Sequence, residues 1–134
     1  MKKDPLKKQT HVILSILILQ YLLGMFANMF VAFPETQNVA TLWEFAKNQV
    51  AITTHMVLAA VLLIGGIVLL IRAIRRKDKR WIIAGSVGLF ALCLATYAGV
   101  QFIPTQQDAY SYTMAIGFIL AFSSYGWGLY KAKK

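Results

Sequence analysis

The sequence has few of the residues that most catalytic and metal sites need. Its 134 residues include one cysteine, two histidines and five acidic residues. Cys93 alone forms neither an internal disulfide nor a thiolate metal cluster, and a small buried residue is its expected role. Two histidines in different apolar segments cannot make a three-ligand zinc site. A phosphate-binding glycine loop is also missing, because the Gly65-Gly66 pair stands alone.

Acidic residues are absent from all of the long apolar segments. They stand at Asp4, Glu35, Glu44, Asp78 and Asp108. Carriers driven by protons or cations usually keep an ionisable group at mid-membrane despite the cost of burying it. The sequence therefore argues against an ion-coupled antiporter or carrier.

Long apolar runs dominate what is present. They cover approximately residues 11–33, 51–71, 81–103 and 110–130, and each is long enough to cross a hydrocarbon core roughly 30 Å thick. The first run is longer than the apolar part of a signal peptide, about 7–15 residues, and lacks a small-residue cleavage pattern. We expect an all-α integral membrane protein, a single domain over residues 1–134 that forms an antiparallel four-helix transmembrane bundle.

The charge pattern orients these spans. All of the 14 Lys and Arg residues except Lys47 fall before the first span, between the second and third, or after the fourth. Short segments rich in Lys and Arg stay cytoplasmic, so we expect a plasma-membrane protein with both termini in the cytoplasm. Trp81, Trp127 and Tyr130 are expected at the inner interface. The net charge of +9 then meets anionic lipid head groups rather than nucleic acid.

The first outer loop, residues 34–50, carries a helical pattern of its own. Apolar residues recur at the spacing of one helix face, namely at Val39, Leu42, Trp43, Ala46 and Val50. Asn38 suits the N-cap of such a helix. We predict a short amphipathic helix over residues 38–49 in the outer interface, with Trp43 as its anchor. It either closes the loop or covers a site that opens to the outer face.

Small residues spaced four apart predict close helix packing. The third span carries Ala84 and Gly88, then Ala91, Ala95 and Gly99, and the fourth span carries Ser124 and Gly128. Such residues let the backbones of neighbouring membrane helices approach each other. We expect the third span to pack closely against a neighbour along its length.

Polar residues of the spans crowd the outer half of the bundle, where they predict a pocket. Asn28, Tyr97 and Gln101 lie near the outer ends of the first and third spans. His55 and Met114 lie at matching depth on the second and fourth spans, roughly 6–8 Å below the outer boundary at 1.5 Å per residue. These five residues are the candidate ligands of a bound cofactor.

His55 is the main candidate for chemistry. A neutral imidazole nitrogen is a good axial ligand of heme iron, and the thioether of Met114 suits the opposite position. The alternative is a structural histidine, hydrogen-bonded to polar residues of the third span, with Met114 as ordinary core packing. His11 lies at the other end of a span, roughly 30 Å away. A bis-histidine heme would therefore need His55 from two copies of the chain.

Two segments resemble one four-helix half of the heme A synthase family. They are Gln20-Tyr21-Leu22-Leu23-Gly24-Met25 in the first span and His55-Met56-Val57-Leu58-Ala59-Ala60 opening the second. With the outer loop and the basic inner turn, the likeness covers about the first two-thirds of the chain. It implies a heme near the outer face, with His55 as a ligand. The family's glutamate three residues before this histidine is Ile52 here, and its fourth-helix histidine and outer-loop cysteine pair have no counterparts. Heme A synthesis itself is therefore not expected.

Two classes of function follow. In the first, the chain is a small membrane protein that binds heme b, acts in electron transfer or heme handling, and uses its outer polar residues for heme propionates or a quinone. In the second, it is a non-enzymatic accessory or assembly subunit, or a small-solute carrier, with no cofactor. Either class allows a homodimer or a larger membrane complex, and whether the chain is an enzyme is left open.

Overall fold

A computed structural model of the chain describes residues 4–132, and these residues form an all-helical fold. The helices are α1 (Pro5–Phe30), α2 (Val39–Asn48), α3 (Val50–Arg75), α4 (Lys79–Thr105) and α5 (Asp108–Lys131). Each apolar run and the short outer-loop segment is thus helical, as predicted. The basic residues that orient the predicted spans include four that lie outside the described range: Lys2, Lys3, Lys133 and Lys134.

Three of the helices, α1, α3 and α4, are long and apolar enough to cross a membrane. In the most apolar 18-residue stretch of each of these helices, only 11% to 33% is buried inside the fold. Most of this apolar surface therefore faces outward. A helix that is apolar on every side, with so little of it buried, is typical of a protein surrounded by lipid. α5 has 24 residues but is not among the three, and it carries several hydroxyl residues and glycines along its length.

The four long helices pack in a ring. α4 packs along α3 and α5, and α1 packs along the same two helices. At one end, called the basic end, Arg76, the residue after α3, pairs with Asp4 at 2.7 Å, and Arg80 of α4 donates to the carbonyl of Lys131 at 3.0 Å. At the opposite end, called the α2 end, α2 packs against α3 and α4. Consecutive long helices therefore run antiparallel.

The turn between α3 and α4 at the basic end is fixed by backbone hydrogen bonds. Lys77 adopts a left-handed conformation (φ 53°). Its N–H donates to the carbonyl of Ile74, and the N–H of Asp78 donates to that of Ala73. These two bonds form a Schellman motif, which ends α3 and satisfies its last carbonyls. The side chain of Asp78 then caps α4 by accepting from the N–H of Arg80 at 3.2 Å.

Small residues bring the long helices together, as the sequence predicted. A Cβ on Gly88 would lie 2.5 Å from the ring of Tyr125, and one on Gly117 would lie 2.9 Å from the carbonyl oxygen of Ala91. Gly128 similarly contacts Trp81. Trp81 was expected at the membrane interface, but it is only 1% exposed. The difference arises because a glycine on the facing helix leaves a slot into which the indole fits.

Two separate hydrophobic cores result. The larger one, the basic-half core, joins all four long helices and includes Leu17, Leu62, Leu92 and Tyr125. The smaller one, the α2-end core, consists of Leu42, Ala46, Ile52 and Ile103.

The short helix α2 begins as predicted, because the side chain of Asn38 accepts from the N–H groups of Ala40 and Thr41 at 3.0 and 3.4 Å. Its buried residues, Leu42 and Ala46, pack on the ends of α3 and α4. The apolar face of α2 is therefore directed at the bundle. Val50, which was assigned to the same face, instead begins α3 and is 81% exposed.

The connection between α4 and α5 is shorter than expected. The sequence placed Pro104 in this loop, but α4 continues to Thr105 and contains Pro104 in its last turn. Gln106 then turns the chain in a left-handed conformation (φ 50°), and its N–H donates to the carbonyl of Phe102 at 2.7 Å.

Candidate functional site

The predicted ligand residues lie in or beside a loosely buried layer between the two cores. On α3 the cores are separated by the nine residues between Ile52 and Leu62, which places these two residues about 15 Å apart at 1.5 Å per residue. None of residues 53–61 is fully buried, nor is any of residues 18–30 on α1. The facing part of α4 has one fully buried residue in this stretch, Ala98. We call this stretch of the bundle the middle layer.

His55 lies in the middle layer and faces α1. Its Nδ1 is 3.1 Å from the backbone carbonyl oxygen of Gln20. A carbonyl oxygen only accepts hydrogen bonds, so Nδ1 must carry the proton and donate it. The lone pair of the neutral ring is then on Nε2, which has no hydrogen-bond partner among residues 4–132. An imidazole held in this way is oriented as metal-ligating histidines usually are.

Gly24 gives the imidazole its position. A Cβ at residue 24 would lie 3.1 Å from Cε1 of His55, a contact tight enough to push the ring away. Gly24 and the carbonyl of Gln20 are one turn apart on α1, and together they form the wall on which the ring rests. The structure therefore joins the two segments that carry the family resemblance, one from α1 and one from α3.

His55 was considered as a partner of polar residues on the third span, but it bonds to the first instead. Thr96 uses its hydroxyl within its own helix, donating to the carbonyl of Leu92 at 2.8 Å. Tyr97 is 59% exposed and points away from the bundle interior. The rotation of α4 about its axis, set by the packing of its small residues on α5, decides these orientations.

Met114 is half-buried on α5 and faces α4. Its sulfur lies 3.3 Å from the position that a Cβ on Gly99 would occupy. Gln101 is also half-buried, whereas Asn28 is exposed. No hydrogen bond within the described part of the chain joins any two of the five predicted ligand residues. The structure thus brings His55 to α1 and Met114 to α4, and leaves Asn28 and Tyr97 on the outer surface.

Gln20 is a site residue that the sequence analysis did not single out. Its backbone carbonyl binds His55, and its side-chain Oε1 is buried without a hydrogen-bond partner among the described residues. A buried acceptor in this condition is rare, because it has lost its hydrogen bonds to water. The sequence did contain a sign of this role, because Gln20 is an amide in the middle of an apolar run and lies four residues before Gly24.

Two of the clefts on the surface of the described residues have no predicted ligand residue in their walls. One, of about 310 Å³, lies at the α2 end between the α1–α2 loop and the end of α4. The other, of about 290 Å³, lies between α4 and α5 toward the basic end. Within residues 4–132 there is also no cluster of three His, Cys, Asp or Glu side chains that would hold a metal ion.

Comparisons with protein-family models, with curated proteins and with solved structures found no match to the chain.

Proposed function

We propose that the chain crosses the membrane four times and that both termini lie in the cytoplasm. α5 packs antiparallel along α4, from Met114 beside Gly99 to Gly128 beside Trp81. If α4 spans the membrane, a helix paired with it over this length crosses the same layer. The basic end carries nearly all of the described Lys and Arg residues, which favours its location on the cytoplasmic side.

Within this bundle we propose that the middle layer binds heme b, with His55 Nε2 as an axial ligand. The observation that carries the proposal is the hydrogen bond from His55 Nδ1 to the carbonyl of Gln20. It fixes the tautomer, raises the basicity of the free nitrogen and holds the ring plane. The incomplete burial of residues 53–61 supports a group inserted between the two cores.

Met114 of the same chain, or His55 of a second copy, would be the other residue to hold the iron. Heme iron, when bound, supplies one-electron redox chemistry whose potential depends on its axial ligands and surroundings. The chain's own residues do the rest: the carbonyl of Gln20 orients the imidazole, and Gly24 leaves room beside it. The half-buried amide of Gln101 is suited to donating to a propionate or a quinone oxygen. Electron transfer or heme handling, rather than heme A synthesis, is the corresponding role.

The alternative is an accessory or assembly subunit, or a small-solute carrier, without a cofactor. The hydrogen bond from His55 to the carbonyl of Gln20 is also consistent with this alternative, because it joins α3 to α1 and so stabilises the bundle. In that case the histidine contributes a partly buried hydrogen bond worth about 1 kcal/mol and nothing else.

An absorption spectrum of the full-length protein in mild detergent distinguishes the two. Heme binding gives a Soret band in the oxidised protein and sharp α and β bands after reduction by dithionite. We expect His55→Ala to remove these bands while the helical circular dichroism is retained. His11→Ala is the matched control, because His11 is exposed and lies near the basic end, and it should leave the spectrum unchanged.

Met114→Leu tests the second ligand, with Met29→Leu as its control because Met29 is 65% exposed. If the reduced spectrum changes in Met114→Leu but not in Met29→Leu, the thioether of Met114 is the second ligand. If neither variant changes it, the second ligand comes from another copy of the chain. A protein that stays colourless after hemin is added would exclude heme binding and leave the cofactor-free bundle. A His55→Ala variant that keeps the heme spectrum would instead exclude His55 as the ligand.

A further inference from the structure

A shallow groove runs along the seam between α4 and α5 in the half of the bundle nearer the basic end. Its volume is about 290 Å³, and its walls are Ile83, Val87, Leu120, Ser123, Ser124 and Trp127. From Leu120 to Trp127 it extends roughly 10 Å along α5 at 1.5 Å per residue. All but Ser124 are exposed at the surface of the bundle, so the groove opens outward, toward the lipid.

The groove is apolar apart from its serines, and one of these is already satisfied. Ser124 donates its hydroxyl to the carbonyl of Ala84 at 2.9 Å, which ties the two helices together behind the groove. Ile83, Val87 and Leu120 are between 42% and 55% exposed. A linear hydrocarbon chain matches this shape, since it fills a long shallow cleft and needs no hydrogen bonds.

Basic side chains stand at the end of the groove. Lys79 lies four residues before Ile83 on α4, and Lys131 lies four residues after Trp127 on α5. Residues four apart are neighbours on one helix face, so each lysine lies one turn beyond the groove on its own helix. Trp127 is in the position of an interfacial aromatic, between the apolar groove and the charged end.

A hydrogen bond brings the two helix ends together. Arg80 donates through Nη1 to the carbonyl oxygen of Lys131 at 3.0 Å, and through its other nitrogens to the carboxylate of Asp78. Asp78 therefore neutralises Arg80. Lys79 and Lys131 are exposed and have no ion pair within residues 4–132, so their two charges are available to a ligand.

We propose that this groove is a binding site for an anionic phospholipid. One acyl chain lies in the groove between Ile83 and Leu120, beside the indole of Trp127, and the phosphate is held by Lys79 and Lys131. The site rests on the proposed placement of α4 and α5 in the membrane, but not on heme binding. Its combination of an apolar cleft and two unpaired lysines fits a lipid better than a soluble anion, because a soluble anion has no apolar part to fill the cleft.

The test uses fluorescence of the full-length protein reconstituted in phosphatidylcholine vesicles. Phosphatidylglycerol or phosphatidylcholine brominated in its acyl chains is added at increasing mole fraction. Bromine quenches an indole that it touches, and the signal of Trp127 is obtained by difference from the Trp127→Phe variant. We expect the anionic lipid to give half-maximal quenching at a mole fraction about fivefold lower than the zwitterionic lipid, given the attraction of basic residues to anionic lipid.

Two double variants separate a site from general charge attraction. Lys79→Gln with Lys131→Gln should remove the preference for phosphatidylglycerol. Lys7→Gln with Lys8→Gln removes the same charge elsewhere on the basic end and should preserve it. Equal quenching by the two lipids, or an equal loss of preference in both double variants, would overturn the site. Failure of the protein to float with vesicles would contradict the membrane placement as well, and this outcome is seen before any quenching is measured.

Discussion

Tyr125 is the largest side chain besides Trp81 that is wholly enclosed by the bundle. Its ring lies over Gly88 of α4, and its hydroxyl reaches to within 3.0 Å of where a Cβ on Gly66 of α3 would be. That hydroxyl has no hydrogen-bond partner in the part of the chain that the structure describes. The two glycines thus leave the space that the side chain of Tyr125 fills, which lets α5 pack closely against α3 and α4.

Filling this space should destabilise the bundle. A methyl group at residue 88 would overlap the ring of Tyr125, since its carbon would be 2.5 Å from Cζ. We expect Gly88→Ala to lower the free energy of unfolding by about 1–3 kcal/mol, the usual cost of overpacking. The measurement is the unfolding midpoint in mixed detergent and dodecyl sulfate micelles.

Gly126→Ala is the matched control, because Gly126 directly follows the enclosed tyrosine in sequence. A Cβ at residue 126 meets no atom within 4 Å. Alanine has the higher helix propensity by up to about 1 kcal/mol, so this variant should be as stable as the wild type or slightly more so. Equal destabilisation by the two substitutions would show that the contact with Tyr125 is not the cause.

At the scale of elements, the turn from α3 to α4 is the best-determined connection in the fold. Its Schellman motif and the Asp78 cap satisfy the backbone groups that two helix ends leave free. Partial burial raises the pKa of Asp78, but hydrogen bonds and charge attraction from Arg80 outweigh this and hold the pKa below its ordinary value. The ionised carboxylate is therefore the form that stabilises the turn.

This lowered pKa predicts a pH dependence. A group whose pKa is lower in the folded state adds stability above its unfolded pKa, about 3.9 for aspartate, and loses it as the pH falls through the folded value. We expect the Asp78 contribution to be complete at pH 6 and to decline below about pH 4. Because Arg80 is exposed and Asp78 is partly exposed to solvent, the contribution should be less than about 1 kcal/mol.

The pH dependence is measured as the thermal unfolding midpoint in nonionic detergent between pH 3 and pH 7. Asp78→Asn can still cap the helix but does not titrate, so the difference between it and the wild type isolates the carboxylate. A difference that stays constant across this range would contradict the assignment.

At the scale of the whole molecule, the proposed four-span topology places the two ends of the bundle in different compartments. Single cysteines in a Cys93→Ser background test this directly. Cysteine in place of Gln37, which is exposed at the α2 end, should react with a membrane-impermeant maleimide in intact cells. Cysteine in place of Lys77, exposed at the basic end, should react only after the membrane is opened.

A reversed order of labelling would invert the topology. Labelling of both positions from outside would mean that an even number of spans separates them, and would exclude α3, the single long helix between them, as a span. A third cysteine in place of Lys131, which should behave like the one at residue 77, determines whether α5 crosses with α4.

The sequence by itself determined which segments are helices, where the short helix α2 begins, and which end of the bundle carries the positive charge. These properties follow from local features: the length of an apolar run, a capping side chain such as Asn38, and the clustering of Lys and Arg. Five of five expected helices are present, with the bounds shifted by a few residues. The small-residue seams were also predictable, because close approach of membrane helices needs glycine or alanine on the facing side.

Only the tertiary structure decided which way each side chain points. The rotation of a helix about its axis depends on the neighbour it packs against, and an all-apolar helix has no polar face to reveal it. Tyr97 thus faces outward, and Trp81 enters a slot over Gly128. His55 donates to a carbonyl of α1 rather than to a residue of α4. It can do so because Gly24 of α1 has no side chain, which leaves room for the imidazole ring beside the backbone.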